Sequence, residues 1–190
     1  MSDNKILAII LVVVLIVGIW FFGTRNSLVS LREEIELQEA QIETTLQRRA
    51  DLIPNLVETV KGYASHEEEV FTAIADARTK LAGAIDGGNI EEVATANEEM
   101  DSALNRLIAI TESYPDLEAN EQFIALMDEL AGTENRISVA RQYYNEAVKE
   151  YNTTIKQFPT IIVANFCRYR EASYFEASEV AHEVPVVDFG

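Results

Sequence analysis

The side chains able to do chemistry in this chain are few, and their spacing matches no reaction centre. Two histidines and one cysteine occur in 190 residues. His66-Glu67-Glu68-Glu69-Val70 begins like the helix of a zinc protease, but valine stands where the second histidine should be, so the ligand count fails. Glu179 and His182 form one Glu-x-x-His pair, whereas a helical di-iron centre needs two such pairs and further glutamates. Gly87-Gly88 is not followed by Lys-Ser/Thr, so it is a turn and not a phosphate-cradling loop. No Ser–His–Asp set is assignable from spacing, because triads are defined by geometry. Cys167, being alone, forms no internal disulfide and leaves the redox compartment unread. The expectation is a protein with no catalytic residue, metal, cofactor or small-molecule substrate.

The remaining polar features suit contact better than reaction. Arg48, Arg49 and Asp51 cluster just before Pro54. They either present a docking face or pair across a helical bundle, an arginine meeting Glu134 while Arg136 or Arg141 meets Asp51. Tyr114-Pro115-Asp116 is either a functional loop or a tight corner between helices. Asn145 and Asn152 stand seven apart, each following a tyrosine, and are expected to fix helix register by bonding to another helix. A ligand contact is their alternative role. The run Val184–Phe189, with Val186 and Phe189, is an extended apolar tail that folds back on its own bundle or adds to a partner.

The element that positions all of these is Ile6–Phe22, ILAIILVVVLIVGIWFF. It holds no charge and no proline, and at about 1.5 Å per residue it spans roughly 25 Å. Ile6, Leu11 and Leu15 lie inside the run, and Trp20, Phe21 and Phe22 close it with aromatics that favour the water–lipid boundary. A cleaved signal peptide would have a shorter apolar core and small residues at the cut. A core helix would show a polar face. A permanent anchor in the lipid bilayer is expected.

Beyond it, Leu28, Ile35, Ile42, Leu56, Tyr63 and Val70 share one heptad position, interrupted by Arg49. Leu46, Ile53, Val60, Ile74 and Leu81 share the partner position, so one long seam is predicted up to Asp86-Gly87-Gly88-Asn89. At Pro54 either the helix continues with a kink or a new one opens with Asp51 as cap. Asn89 and Glu92 suit a capping box for the next helix, whose stripe is Ile90, Val93, Met100, Leu104 and Leu107. Phe123, Leu130, Ile137, Tyr144, Tyr151 and Phe158 then recur by seven. After Pro159, the residues Ile162, Phe166, Tyr169 and Ser173 suggest a short irregular helix. The predicted fold is all-α: a short N-terminus and transmembrane anchor over 1–24, an elongated antiparallel bundle with long coiled-coil-like helices over 25–182, and the tail over 183–190.

The formal net charge of −17 argues against nucleic acid as a partner and against the domain lying flat on anionic lipid. Lys5 precedes the anchor while Arg25 and Arg32 follow it. This bias favours an outward N-terminus and a cytoplasmic bundle.

Three stretches resemble the LemA family: RRADLIPNLVETVKGYASHE at 48–67, ESYPDLEANEQF at 112–123 and ENRISVARQYYNEAVKEYNTTIKQFP at 134–159. The resemblance runs from about Asn26 to Phe189. It implies a helical bundle behind one membrane helix of the bacterial inner membrane, with no established enzymatic activity and a link to membrane shaping or envelope maintenance. LREEIELQEAQIETTL, after the anchor, is more acidic than the family pattern, and Arg25 stands where a tyrosine is expected before Asn26. Together these features predict a membrane-anchored scaffold or adaptor that acts by protein contact and forms a homo-oligomer. The alternative is an accessory subunit of another membrane protein, such as a membrane protease.

Overall fold

The structure is a computed structural model that describes residues 3–176, and every regular element among them is an α-helix. In chain order these are α1 (Asp3–Lys61), α2 (Glu68–Gly87), α3 (Ile90–Thr111), α4 (Pro115–Glu118), α5 (Glu121–Lys156) and α6 (Thr160–Phe166). Glu179, His182 and the tail with Val186 and Phe189 lie outside the described residues.

α1 begins in the apolar run and continues because a buried stripe takes over from it. Leu28, Ile35, Ile42, Leu46, Ile53, Leu56 and Val60 are all at most 6% exposed. Such side chains contribute about 1.5–3 kcal/mol each on full burial. Pro54 lies inside the helix, so no new helix opens at Asp51.

The seam does not run on through Tyr63 and Val70 as predicted. α1 stops at Lys61, and a connection over 62–67 intervenes before α2. The amides of Tyr63 and Ala64 both bond to the Val60 carbonyl and close α1. The amides of Val70 and Phe71 bond to the Glu67 carbonyl and open α2. Lys61 in the last turn of one helix and Glu68 and Glu69 in the first turn of the next both suit the helix dipoles. Tyr63 is 41% exposed as a result.

Gly88 ends α2 at φ 64°, a left-handed conformation that glycine adopts without steric cost. Asn89 caps α3 by accepting from the amides of Glu91 (3.0 Å) and Glu92 (3.3 Å), and its Nδ2 donates to Glu92 Oε1. The predicted stripe of α3 is buried along its whole length. In α5, Phe123, Leu130, Ile137, Tyr144 and Tyr151 are buried, but Phe158 is 82% exposed, since the helix ends two residues before it.

α6 is shorter than predicted. It closes with Tyr169 donating to Ala164 O and Arg168 donating to Asn165 O, a Schellman arrangement with Arg168 at φ 60°. Tyr169 and Ser173 therefore lie in the irregular run that follows.

The chain forms two compact units. One takes α1 through Gln38 together with Asn145–Ala172, and it buries Leu28, Ile35, Val148, Tyr151, Ile155 and Val163. The other takes Glu39–Tyr144 and the segment from Ser173. In this second unit Tyr63, just past α1, accepts from Asn120, just before α5, while Arg48 meets Glu129. α5 therefore returns antiparallel along α1, and the α2–α3 hairpin packs with them to form a four-helix bundle.

Candidate interaction site

Arg49 interrupts an apolar heptad, and Asn97 interrupts the apolar stripe of α3 between Val93 and Met100. The bundle brings these two interruptions together. Arg49 is 5% exposed and Asn97 2%. Arg49 Nη1 donates to Asn97 Oδ1 at 3.1 Å and pairs with Glu134 Oε2 at 2.9 Å, while Nη2 pairs with Asp101. Asn97 Nδ2 also donates to Asp101 Oδ2 at 3.2 Å. One guanidinium on α1 thus ties α3 and α5 together, and its Nε is buried without a partner.

Burial pushes the Asp101 carboxyl above its usual range. The nearby charge of Glu134 adds to that, and Arg49 and Arg141 pull downward without cancelling it. Arg49 is buried here while the Asp101 and Glu134 side chains are partly open to solvent, and a buried charge left without its partners is costly.

The other sequence-derived candidates fall as follows. Arg48 donates to Glu129 Oε1 at 2.7 and 3.0 Å, and Arg136 reaches the same oxygen at 3.1 Å. Asp51 does not meet Arg136 or Arg141; it accepts from Gln47 Nε2, one turn away on its own helix. The docking and structural expectations for this cluster therefore meet a site whose cations are all engaged by carboxylates.

Tyr114 precedes α4, Pro115 fills its first position, and Leu117 is fully buried beneath the corner, leaving Asp116 exposed. Asn145 is half-buried. Asn152 does pair with another segment, but the partner is the backbone of Ala172 and not a helix. Asn97, Asp101 and Asn120 were not singled out in the sequence. A polar residue inside an apolar stripe was the available signal for Asn97. Asn120 caps α5 by accepting from the Phe123 amide. Among the described residues no group of three His, Cys, Asp or Glu side chains converges to hold a metal ion.

Ile6, Leu11 and Leu15 are 41%, 62% and 62% exposed, Phe22 is 64% exposed, and no part of the apolar window of α1 is buried. Trp20 and Phe21 are half-buried, Phe21 standing edge-on to Phe166 at 5.6 Å. Among the described residues α1 is the one helix long and apolar enough to cross a membrane.

A sequence profile of the LemA family matches residues 38–189. It begins twelve positions after Asn26, so residues 31–37 of the stretch LREEIELQEAQIETTL fall outside it and 38–46 inside. Magnetosome proteins MamQ 2 and MamQ 1 of Paramagnetospirillum magneticum are each 27% identical over 187 residues, which is 85% of this chain and 68% of each relative. Protein LemA of Metamycoplasma hominis is 27% identical over 175 residues, 90% of this chain and 78% of the relative. None of these names specifies a reaction.

Proposed function

We propose, from the premise that this chain belongs to the LemA family, that it is a scaffold held at the inner membrane by one span, acting through protein contacts and self-association. The observation that carries this reading is the apolar head of α1, which from Ile6 to Val17 no other described residue covers. Exposed leucines, isoleucines and valines in that number are stable in lipid and costly in water. Its N-terminus faces outward and the bundle is cytoplasmic, in keeping with Arg25 and Arg32 behind the span. Tethering concentrates the bundle in two dimensions, where weak contacts suffice for assembly.

Val139 and Tyr143, one turn apart on α5, are 50% and 54% exposed and supply an apolar contact for a second copy. Membrane shaping or envelope maintenance is the process such an assembly would serve. The test is the mass of the full-length protein in nanodiscs or mild detergent. A mass of several protomers, reduced by Val139→Glu with Tyr143→Glu, is expected. A wild-type monomer at membrane-like concentration removes self-assembly, and release of intact chain by alkaline carbonate removes the anchor.

A further inference from the structure

The unit that carries the anchor exposes a second apolar surface. Phe158, Ile162 and Phe166 recur every four residues through the turn before α6 and along it, at 82%, 54% and 78% exposed. Apolar side chains of this size so open to solvent, and so regularly placed, mark a surface that another phase covers.

Their position identifies that phase. The Phe166 ring packs edge-on against Phe21, in the aromatic end of the anchor. Thr154 and Thr160, on either side of Phe158, line one shallow cleft with Trp20, Gly23 and Thr24. The turn and α6 thus stand at the level where Ile6–Phe22 leaves the bilayer.

Charge agrees with position. The chain has 32 acidic residues, yet none falls between Asn4 and Arg32 or between Tyr151 and Arg170. Those two stretches hold Lys5, Arg25, Arg32, Lys156, Arg168 and Arg170. Lys5 lies at the far end of the span, Arg32 pairs with Glu36 and Lys156 with Glu171, which leaves Arg25, Arg168 and Arg170 as the cations of this end outside the ion pairs among the described residues. Arg25, Arg168 and Arg170 are exposed. Arg168, two residues beyond Phe166, stands at φ 60°, where glycine would be less strained, and it is exposed.

We infer that α6 and the Phe158–Pro159 turn are a second membrane contact. Phe158, Ile162 and Phe166 enter the headgroup–acyl boundary of the leaflet that the Trp20–Phe22 end of the anchor occupies, and Arg25, Arg168 and Arg170 meet anionic headgroups. This rests on the reading of Ile6–Phe22 as a membrane span. The contact limits how the bundle-side end of the anchor tilts and turns on the bilayer, because an interfacial element on one side of a single span prevents free rotation about it.

The test places a fluorophore on single cysteines in a Cys167→Ser background, in full-length protein at one copy per nanodisc of phosphatidylglycerol and phosphatidylcholine. Ile162→Cys is compared with Ile19→Cys in the anchor and Asn105→Cys on exposed α3. Iodide reports water, and a nitroxide lipid reports the leaflet. The expected result is that position 162 resists iodide several-fold better than position 105 and is quenched by the nitroxide lipid. Arg25→Glu with Arg170→Glu should weaken that lipid quenching in anionic discs. Full iodide access at 162 with lipid quenching at 19 overturns the second contact and leaves the anchor standing. Iodide access at 19 overturns the anchor and this inference together. Shielding at 162 without lipid quenching, or only with two copies per disc, overturns it in favour of packing on protein. Quenching unchanged by the two Arg→Glu substitutions overturns the headgroup role of the arginines.

Discussion

Arg78 Nε donates to the carbonyl of Ala50 at 3.0 Å, the acceptor that Pro54 leaves without its helical donor. Proline has no amide hydrogen, so the carbonyl four residues earlier loses its bond, and Ala50 is only 2% exposed. Water reaches such a group poorly, and an unpaired buried carbonyl costs about 1–3 kcal/mol. The arginine on α2 supplies the missing donor, which lets α1 run through the proline and fastens α2 against it.

Arg78→Met keeps most of the side-chain stem and deletes the donor. It should destabilise the wild-type protein by about 1–2 kcal/mol in urea titrations. In a Pro54→Ala background the residue-54 amide returns to Ala50, and the same substitution should then cost a few tenths of a kcal/mol or less. Equal costs in the two backgrounds of this double-mutant cycle would show that Arg78 acts by packing alone.

Arg49 is the one buried cation against Asp101 and Glu134, and removing it leaves two carboxylates facing each other, both partly open to solvent. Arg49→Ala should cost about 3 kcal/mol, the low end for a broken buried pair, because Glu134 is half exposed and can be rehydrated. The Asp101 carboxyl, already raised by burial, should titrate higher still in that variant. Glu134→Gln should move it the other way, since Glu134 is one of the charges that raise it. Carboxyl-carbon NMR titration of Asp101 in the three proteins reads both shifts. An unchanged Asp101 titration in Arg49→Ala would mean that the two groups are not paired in solution.

Much of this architecture was legible because a buried face repeats at the helical period. The α5 stripe from Phe123 to Tyr151 and the α3 stripe from Ile90 to Leu107 lie where the spacing put them. The break after Lys61 was missed because Tyr63 and Val70 keep the count of seven across the connection. A residue count does not register a reversal of the chain. Gly62 and the acidic run Glu67-Glu68-Glu69 were the physical signs of it, a weak helix former followed by charges suited to a helix start. Arg49 and Asn97 were visible as faults in two stripes, yet their meeting depends on how α1 and α3 pack, which neither stripe encodes. The Glu134 partner was anticipated for an arginine of this cluster. Asp51 was misplaced because a neighbour one turn away competes better than a distant cation.

Asn152 grips the backbone of Ala172 from both sides, Nδ2 donating to its carbonyl and Oδ1 accepting from its amide, each at 2.9 Å. No periodic signal in the run after Arg168 announced that partner. Asn152→Ala breaks both bonds and should cost about 2–3 kcal/mol, with loss of exchange protection at the Ala172 amide. Asn152→Asp keeps the acceptor but sets a carboxylate against the Ala172 carbonyl. Its deficit should therefore be largest at neutral pH and shrink in acid as the carboxyl gains a proton that it can donate. A deficit independent of pH would show that the Ala172 carbonyl does not face this side chain.

Tyr144 gives the alkaline behaviour a defined sign. Its hydroxyl donates to Ser173 O at 2.9 Å, and burial raises its pKa from 10.0 to about 12, with the carboxylates of Glu39 and Glu91 adding to the rise. The folded protein then holds this proton more tightly than the unfolded chain does. The stabilisation is complete below pH 10 and is lost as pH climbs from 10 to about 12. Two pKa units correspond to roughly 2–3 kcal/mol. Tyr144→Phe removes the titration, so the stability difference between wild type and variant should depend on pH although all other groups are shared. At pH 8 the variant should be less stable by about 1 kcal/mol, for the lost hydrogen bond. Near pH 12 it should match or exceed wild type, and the two urea-midpoint curves should cross between. Parallel curves through that range would mean that the phenol ionises as freely in the fold as outside it, and that its bond to Ser173 does not persist.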